Sequence, residues 1–383
     1  MKKMKTLYAH QKSFLKKNPN RGLLLHETGL GKTITAIEWL KLRSRKKALV
    51  ICPKSIKDKW RKELIKWGGK AHVVSRDDIK KMDISAYNTI VVDEIHDFLS
   101  PLFTKQRSQR ATVLYNHLKD HPDTHLLGCS ATPIRSSPWN LHSLWCFIGP
   151  KFWLLKDFRD KFFYLTDLYG RYHYEPVNDW RTKIRPYLES VSDIALMKDC
   201  TDVPIQTHTV INVPETKYKP DKYLEAAAAW HAMHRAEQSE AKWKELKKLI
   251  DGYQKVIVVA YYREQLDDYI CRLGDERQVY VVHGGIKDQE SVVQAAQASP
   301  DCVFLIQSGL GAGFDADSFS TMIFASQGYS YVSYVQMLGR INRIHNLHSN
   351  TYYYLLAGKG DRAVYDAMEK HADFDPIAYM QKL

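Results

Sequence analysis

The sequence predicts an α/β protein built on two doubly wound parallel sheets. Three observations carry that prediction. Short apolar runs recur between helical patterns over the first 150 residues; the pattern then breaks, and a similar series resumes near residue 255. The runs are apolar along their whole length rather than alternating, as strands buried on both faces must be. A glycine-rich stretch, HETGLGKT from His26 to Thr33, stands between one such run and a helical pattern.

In chain order, RGLLLH reads as a strand and Lys32 to Arg43 as a helix. KALVICP follows as a strand and Ser55 to Trp67 as a helix. AHVVS, NTIVVDE and THLLGCSAT are further strands, with helices around Ser137 to Ile148, and the series stops near Gly149-Pro150. From Lys151 to about Lys217 the chain is aromatic, basic and irregular. Phe and Trp recur there at helical spacing, which predicts a packed helical insert capping the first lobe. Stacking of unpaired bases, or a grip on a duplex, is the other reading of its Lys151 to Arg185 part. THTVINVP is strand-like, and DKYLEAAAAWHAMHRAEQSEAKWKELKKLI reads as one or two helices ending at Asp251-Gly252.

The second series runs KVIVVAYY, a helix from Arg263 to Leu273, RQVYVVHGG, and a helix near Gln289 to Ala298. DCVFLIQS, STMIFASQ, a helix from Tyr331 to Ile344, and TYYYLLAGKG complete it. The expected division is a first lobe over 1–215, with the insert at about 151–200, and a second over 216–383, led by a helical segment at about 220–250.

Composition narrows the function. The chain has 383 residues, 44% of them hydrophobic, with 9 Trp and 23 Tyr, which excludes a disordered protein. Lys and Arg number 56 against 43 Asp and Glu, and a formal charge of +13 favours a polyanionic partner, nucleic acid first. The six cysteines form no C-x-x-C pair, and Cys52, Cys129 and Cys302 lie in or beside strand-like runs, as buried thiols of a reducing cytosol do. MKKMKTLYAHQKSF opens basic without an apolar core, so no signal peptide is expected, and no run reaches the ~18 apolar residues of a membrane helix. The expected setting is cytoplasmic.

The chemistry sits at the strand ends. HETGLGKT has the strand–loop–helix context of a P-loop, although His26 occupies the position of the first glycine. Gly29 and Gly31 let backbone N–H groups close on phosphate oxygens at a helix N-terminus. Lys32 would reach the β- and γ-phosphates, and the Thr33 hydroxyl would bind Mg²⁺. In NTIVVDEIHDF, Asp93 would hold the same Mg²⁺ and Glu94 would polarise the attacking water. Ser130 and Thr132 are small hydroxyl residues at another strand end. In YVQMLGRINRIHN, Arg340 and Arg343 fall at i, i+3 on one predicted helix face and supply the cations that phosphoryl transfer needs.

Taken in order, these stretches resemble the motifs of the superfamily-two helicases and translocases, and within them the Swi/Snf-like ATPases. LYAHQ resembles the adenine-recognition motif, with Gln11 as the reader. HETGLGKT is similar to motif I, which in this superfamily does not demand the first glycine; Thr28, Gly29, Leu30, Gly31, Lys32 and Thr33 would line the phosphates. ALVICPKSIKDKWRKELIKW resembles the Swi/Snf form of motif Ia, including Trp60 and Trp67. DEIH resembles motif II and SATP motif III, and IRSSPWNLHSLWCFIGP follows the Swi/Snf pattern again. KVIVVAYYREQLDDYI resembles motif IV. SGLGAGFDADSFSTMIFAS resembles motif V, with Gly311, Gly313 and Asp315 in its loop, and QMLGRINRIHN resembles motif VI through Gln336, Arg340 and Arg343. Departures are Asp315 for a common Asn, Met337 for a common Arg, and His345-Asn346 for Gly-Gln.

The resemblance implies two RecA-like lobes with an ATP cleft between them, ATP and Mg²⁺ as cofactors, and a compact motor of phage or bacterial type that works as a monomer. It implies coupling through His96, Ser130, Thr132 and Gln336, and contacts to a nucleic-acid backbone from Lys54, Ser55, Ser308 and Gly309. The expected activity is a nucleic-acid-stimulated ATPase that translocates on duplex or branched DNA in replication, recombination or repair. A strand-separating helicase on DNA or RNA is the alternative, and a non-catalytic basic nucleic-acid-binding scaffold is the alternative of another class.

Overall fold

The computed structural model describes residues 7–43, 47–100, 102, 108–131, 139, 141–148, 155–168, 171–200, 203–214, 225–310, 314–343, 346–370 and 373–376. The chain divides into two units, Met1–Asp199 and Cys200–Leu383.

In the first unit the order is α1 (Ala9–Lys17), β1 (Arg21–His26), α2 (Lys32–Lys41), β2 (Ala48–Cys52), α3 (Lys57–Trp67), β3 (His72–Ser75), β4 (Thr89–Asp93), α4 (Gln109–Asp120) and β5 (His125–Cys129). There follow α5 (Leu141–Ile148), α6 (Leu155–Phe162), β6 (Phe163–Leu168), β7 (Arg171–Pro176), α7 (Trp180–Val191) and β8 (Ser192–Ala195). Six strands pair in the order β3-β2-β4-β5-β1-β8, all parallel.

The unbroken apolar runs explain the layering. Leu23, Leu25, Ile51, Ile90, Val92 and Leu126 face one core, which α4 to α7 cover. Leu24, Val50, Cys52, Val91, Leu127 and Cys129 face the other, beneath α1, α2 and α3. Successive residues of a strand point to opposite faces, so a strand with helices on both sides must be apolar throughout.

The second unit contains β9 (Ile205–Asn212), α8 (Ala226–Ala236), α9 (Glu240–Asp251), β10 (Lys255–Ala260), α10 (Arg263–Leu273), β11 (Val279–Val282), α11 (Gln289–Ala298) and β12 (Cys302–Gln307). β13 (Thr321–Phe324), α12 (Tyr331–Leu338), β14 (Asn350–Ala357) and α13 (Lys359–Glu369) complete it. Its sheet is also six-stranded and parallel, ordered β11-β12-β10-β13-β14-β9. Ile257, Phe304 and Met322 face one core and Val258, Leu305 and Ile323 the other.

Three expectations are corrected. A first lobe over 1–215 would include β9, but β9 pairs along its whole length with β14, and the units divide after Asp199. The helical insert contains an antiparallel hairpin, β6–β7, between α6 and α7. Its sequence, FYLTDL and RYHYEP, alternates in character, and that period of two prevails over the helical spacing of its aromatics. The helix read from Tyr331 to Ile344 ends at Leu338, and Gly339 takes the C-cap position.

A buried charged cluster ties α8, α9 and α13 together. Asp361 accepts from Lys242 Nζ at 2.6 Å and from His234 Nε2 at 2.9 Å, while Glu237 Oε1 accepts from Gly360 N at 2.6 Å. His234, Glu237 and Asp361 come close enough for a shared metal ion, but the Lys242 ammonium already supplies the cation.

Candidate nucleotide site

The P-loop is held open by two backbone conformations. Gly29 and Gly31 lie at φ +89° and +76°, in the left-handed region that side chains avoid. Gly31 is also hemmed in: a Cβ there would stand 2.6 Å from Gln11 Nε2. Gly31 is the N-cap of α2 and offers no capping side chain, and a helix N-terminus of this kind favours an anion.

α1 fastens the loop from outside. Gln11 is 1% exposed; its Nε2 donates to Gly31 O at 3.2 Å and its Oε1 accepts from Tyr8 N at 2.9 Å. His10 Nε2 bonds Leu30 O at 2.9 Å. Lys32 Nζ donates to the carbonyls of His26 at 2.8 Å and Glu27 at 3.2 Å, folded over the loop that a triphosphate would fill. Thr28 and Thr33 are half-buried, while Leu30 is fully buried.

His26 is explained by its strand. It is the last residue of β1, paired with Ala195 of β8, so the backbone there is extended and needs no glycine. Its ring is buried, with Nε2 2.9 Å from Asp193 Oδ2, and Lys17 Nζ reaches Asp193 Oδ1 at 2.6 Å. Burial lowers the His26 pKa and keeps the ring neutral; the Asp193 bond opposes this without reversing it. Glu27 adds a second anchor to the same region, its Oε2 accepting from Met197 N at 2.6 Å.

The acidic pair closes β4. Asp93 Oδ2 accepts from the Trp60 indole N–H at 2.7 Å, and Oδ1 accepts from Glu94 N at 3.1 Å. Burial raises the Asp93 pKa, opposed by the Trp60 bond and then by nearby Lys32. Glu94 sits at φ 54°, ψ 54°, a left-handed conformation that costs a residue with a Cβ ~1–3 kcal/mol. His96 Nδ1 lies 2.9 Å from Ser130 Oγ and 3.3 Å from Glu94 Oε2, so the ends of β4 and β5 meet through one imidazole. Thr132 lies outside the described residues. A buried carboxylate and the Thr33 hydroxyl at the start of α2, beside a helix N-terminus that favours phosphate, are a hard-oxygen donor set that fits Mg²⁺ held with phosphates.

In the second unit, Arg340 and Arg343 lie in the turn after α12 rather than on its face. Arg340 is 7% exposed; Nη1 donates to Phe314 O at 2.5 Å, and the guanidinium stands 5.2 Å from the Phe314 ring centre. Arg343 Nη2 pairs with Asp315 Oδ1 at 2.7 Å. Motifs V and VI therefore meet at Phe314–Asp315. Gly311, Gly313 and His345 lie outside the described residues. Met337 is buried in the core, and Gln336 is half-buried on α12.

The residues expected to touch nucleic acid differ in exposure. Lys54 and Ser55 are exposed on the turn before α3, and Gly309 is exposed after β12. Ser308 is buried, its hydroxyl accepting from Gly328 N at 3.0 Å.

Sequence reasoning passed over His10, Lys17 and Asp193. Nothing local marks Asp193 as the partner of His26, 167 positions away. Trp60 was marked by its motif, but not as the partner of Asp93.

A P-loop closing β1 and an acidic pair closing β4, in a chain of two parallel α/β lobes, define a RecA-like, two-lobe nucleotide-binding protein. The SNF2-related domain matches residues 10–76 and the helicase conserved C-terminal domain matches residues 241–345. These two domains, in that order, support the resemblance to the superfamily-two helicases and translocases of the Swi/Snf-like group. Among solved structures it is similar to the Sulfolobus solfataricus SWI2/SNF2 ATPase core in complex with dsDNA. The two share 15% identity over 96% of this chain and 91% of that one, with a TM-score of 0.44.

Proposed function

We propose that this chain is a DNA-stimulated ATPase that translocates on duplex DNA, serving replication, recombination or repair. The observation that carries the reading is the P-loop itself, with Gly29 and Gly31 in left-handed conformations, Lys32 at the head of α2, and Asp93 and Glu94 at the neighbouring acidic strand end. Thr33 and Asp93 would hold Mg²⁺, which when bound neutralises charge on the β- and γ-phosphates. Lys32 leaves the His26 and Glu27 carbonyls for the phosphate oxygens. Glu94, steadied by His96, orients the attacking water and accepts its proton. Arg340 and Arg343 meet the charge that develops on the transferred phosphoryl group, a contribution worth ~10³–10⁵ in rate. Ser130, bonded to His96, stands where nucleotide state can be passed on.

The track is read through phosphates by Lys54, Ser55 and the backbone at Gly309, which gives weak sequence preference and steep salt dependence. Phosphate release with duplex DNA, single-stranded DNA, RNA or no nucleic acid tests the proposal. Duplex DNA should stimulate most, and equal rates in all four would contradict it.

One observation favours strand separation as the second reading. Hairpin β6–β7 carries Tyr164, Leu165, Tyr172 and Tyr174 at the surface, with Tyr172 71% exposed. Leu165 pairs with Tyr174 and Asp167 with Tyr172, so Tyr172, Tyr174 and Leu165 share one face. Exposed aromatic faces can stack on unpaired bases. Triplex displacement run beside a strand-separation assay divides the two readings.

A further inference from the structure

Trp60 and Trp39 are both fully buried in the core on the α1–α3 side of the first sheet, yet they spend their indole N–H groups differently. Trp39 donates to a backbone carbonyl, Pro19 O, at 3.1 Å, as a packing tryptophan commonly does. Trp60 instead donates to a side-chain carboxylate oxygen, Asp93 Oδ2, at 2.7 Å. That distance is at the short end of the range for N–H···O bonds.

The two oxygens of Asp93 are thus held from two directions, Oδ2 by the indole and Oδ1 by Glu94 N. An ionised carboxylate offers about four lone-pair directions. Two are spent on these donors, which fixes the carboxylate plane and leaves the others for a ligand. The indole cannot swing to another partner, because Trp60 is 1% exposed on the fourth residue of α3.

We propose that Trp60 is a positioning residue: its indole N–H orients the Asp93 carboxylate for Mg²⁺ accompanying a bound nucleotide. This rests on the reading of Asp93 as the metal-holding carboxylate. Partners that orient ligating carboxylates are worth about 10–100-fold in metal affinity.

The test is calorimetric titration of ADP into wild-type protein and Trp60→Phe, each with Mg²⁺ and with EDTA. The Phe variant keeps an aromatic ring and loses the donor together with part of the indole's volume. ADP affinity in EDTA should be the same in both proteins, while the gain in affinity on adding Mg²⁺ should shrink about tenfold or more in the variant. An unchanged Mg²⁺ gain, or an equal loss with and without Mg²⁺, overturns the assignment and leaves Trp60 a packing residue. If wild-type protein itself shows no Mg²⁺ gain, it is the reading of Asp93 that fails instead.

Should Trp60→Phe not fold, the wild-type chain with ¹⁵N-labelled indoles serves. Of its nine tryptophans, one indole N–H resonance should shift with Mg²⁺ and ADP together but not with ADP in EDTA. No such resonance overturns the proposal.

Discussion

Arg343 and Asp315 form an ion pair, with Nη2 2.7 Å from Oδ1, between the turn after α12 and the segment that follows the motif V loop. Arg343 also reaches the Phe314 carbonyl, the oxygen to which Arg340 donates. The two guanidinium groups are therefore set by one short stretch of chain. Asp315→Ala, which removes the orienting carboxylate, should lower stimulated turnover about 10- to 100-fold through misplacement of Arg343. Asp315→Asn keeps a hydrogen-bond acceptor and should stay close to wild type. Steady-state phosphate release checks both.

The strand ends separate binding from chemistry. Lys32→Ala should abolish turnover and weaken ATP binding. Glu94→Gln should keep ATP binding but lose ~10²–10⁴ in kcat, the range set by a general base. Nucleotide titration and phosphate release on the same preparations distinguish the two losses.

Gly31→Ala meets two penalties. The backbone at φ +76° disfavours a Cβ, and the new methyl would stand 2.6 Å from Gln11 Nε2. A loss of about 1–3 kcal/mol in the first unit is expected, together with loss of nucleotide binding. Urea unfolding followed by circular dichroism measures the first.

The His26–Asp193 pair predicts acid sensitivity. Burial holds the His26 pKa below its ordinary value of 6.5, so the unfolded chain takes up a proton first as the pH falls. Stability from this group is therefore complete above pH 6.5 and declines below it, until the folded pKa is reached. Asp193 acts later in the same direction. Burial pushes its pKa up, but the bonds from His26 and Lys17 outweigh that and hold it below 3.8. Its contribution is present above 3.8 and lost as the pH falls through the folded value. Melting temperature followed from pH 7.5 to 5 should fall less steeply in His26→Gln than in wild type.

In the second unit, Lys242→Met would leave Asp361 buried with His234 and without its ammonium partner. A loss of about 3–5 kcal/mol is expected, since an uncompensated buried charge costs more than the pair contributes. Denaturant titration reads it directly.

Both sheets were legible in the sequence because strands such as LLL, ALVIC and VIVVA are apolar on two faces and alternate with helical patterns, as covered parallel strands do. The P-loop and the acidic pair were legible because Gly29, Gly31, Lys32, Asp93 and Glu94 are local patterns placed by strand ends. Contacts between distant residues were not. Asp193 follows the aromatic insert, and no spacing rule ties it to His26. The hairpin was hidden because its tyrosines fit a period of two within a segment whose Phe and Trp fit a helix. The helix before Arg340 was read too long because the Phe314 carbonyl, which draws the guanidinium into a turn, lies 26 positions away.

The most direct measurement is phosphate release at saturating ATP and duplex DNA for wild type, Arg340→Ala, Arg343→Ala and the double variant, with ATP and DNA affinity measured alongside. The account predicts that each single variant loses ~10³ or more in kcat while both affinities stay near wild type, and that the double variant falls little further. A double variant that still hydrolyses ATP at near wild-type rate would contradict the claim that these two arginines complete the catalytic site.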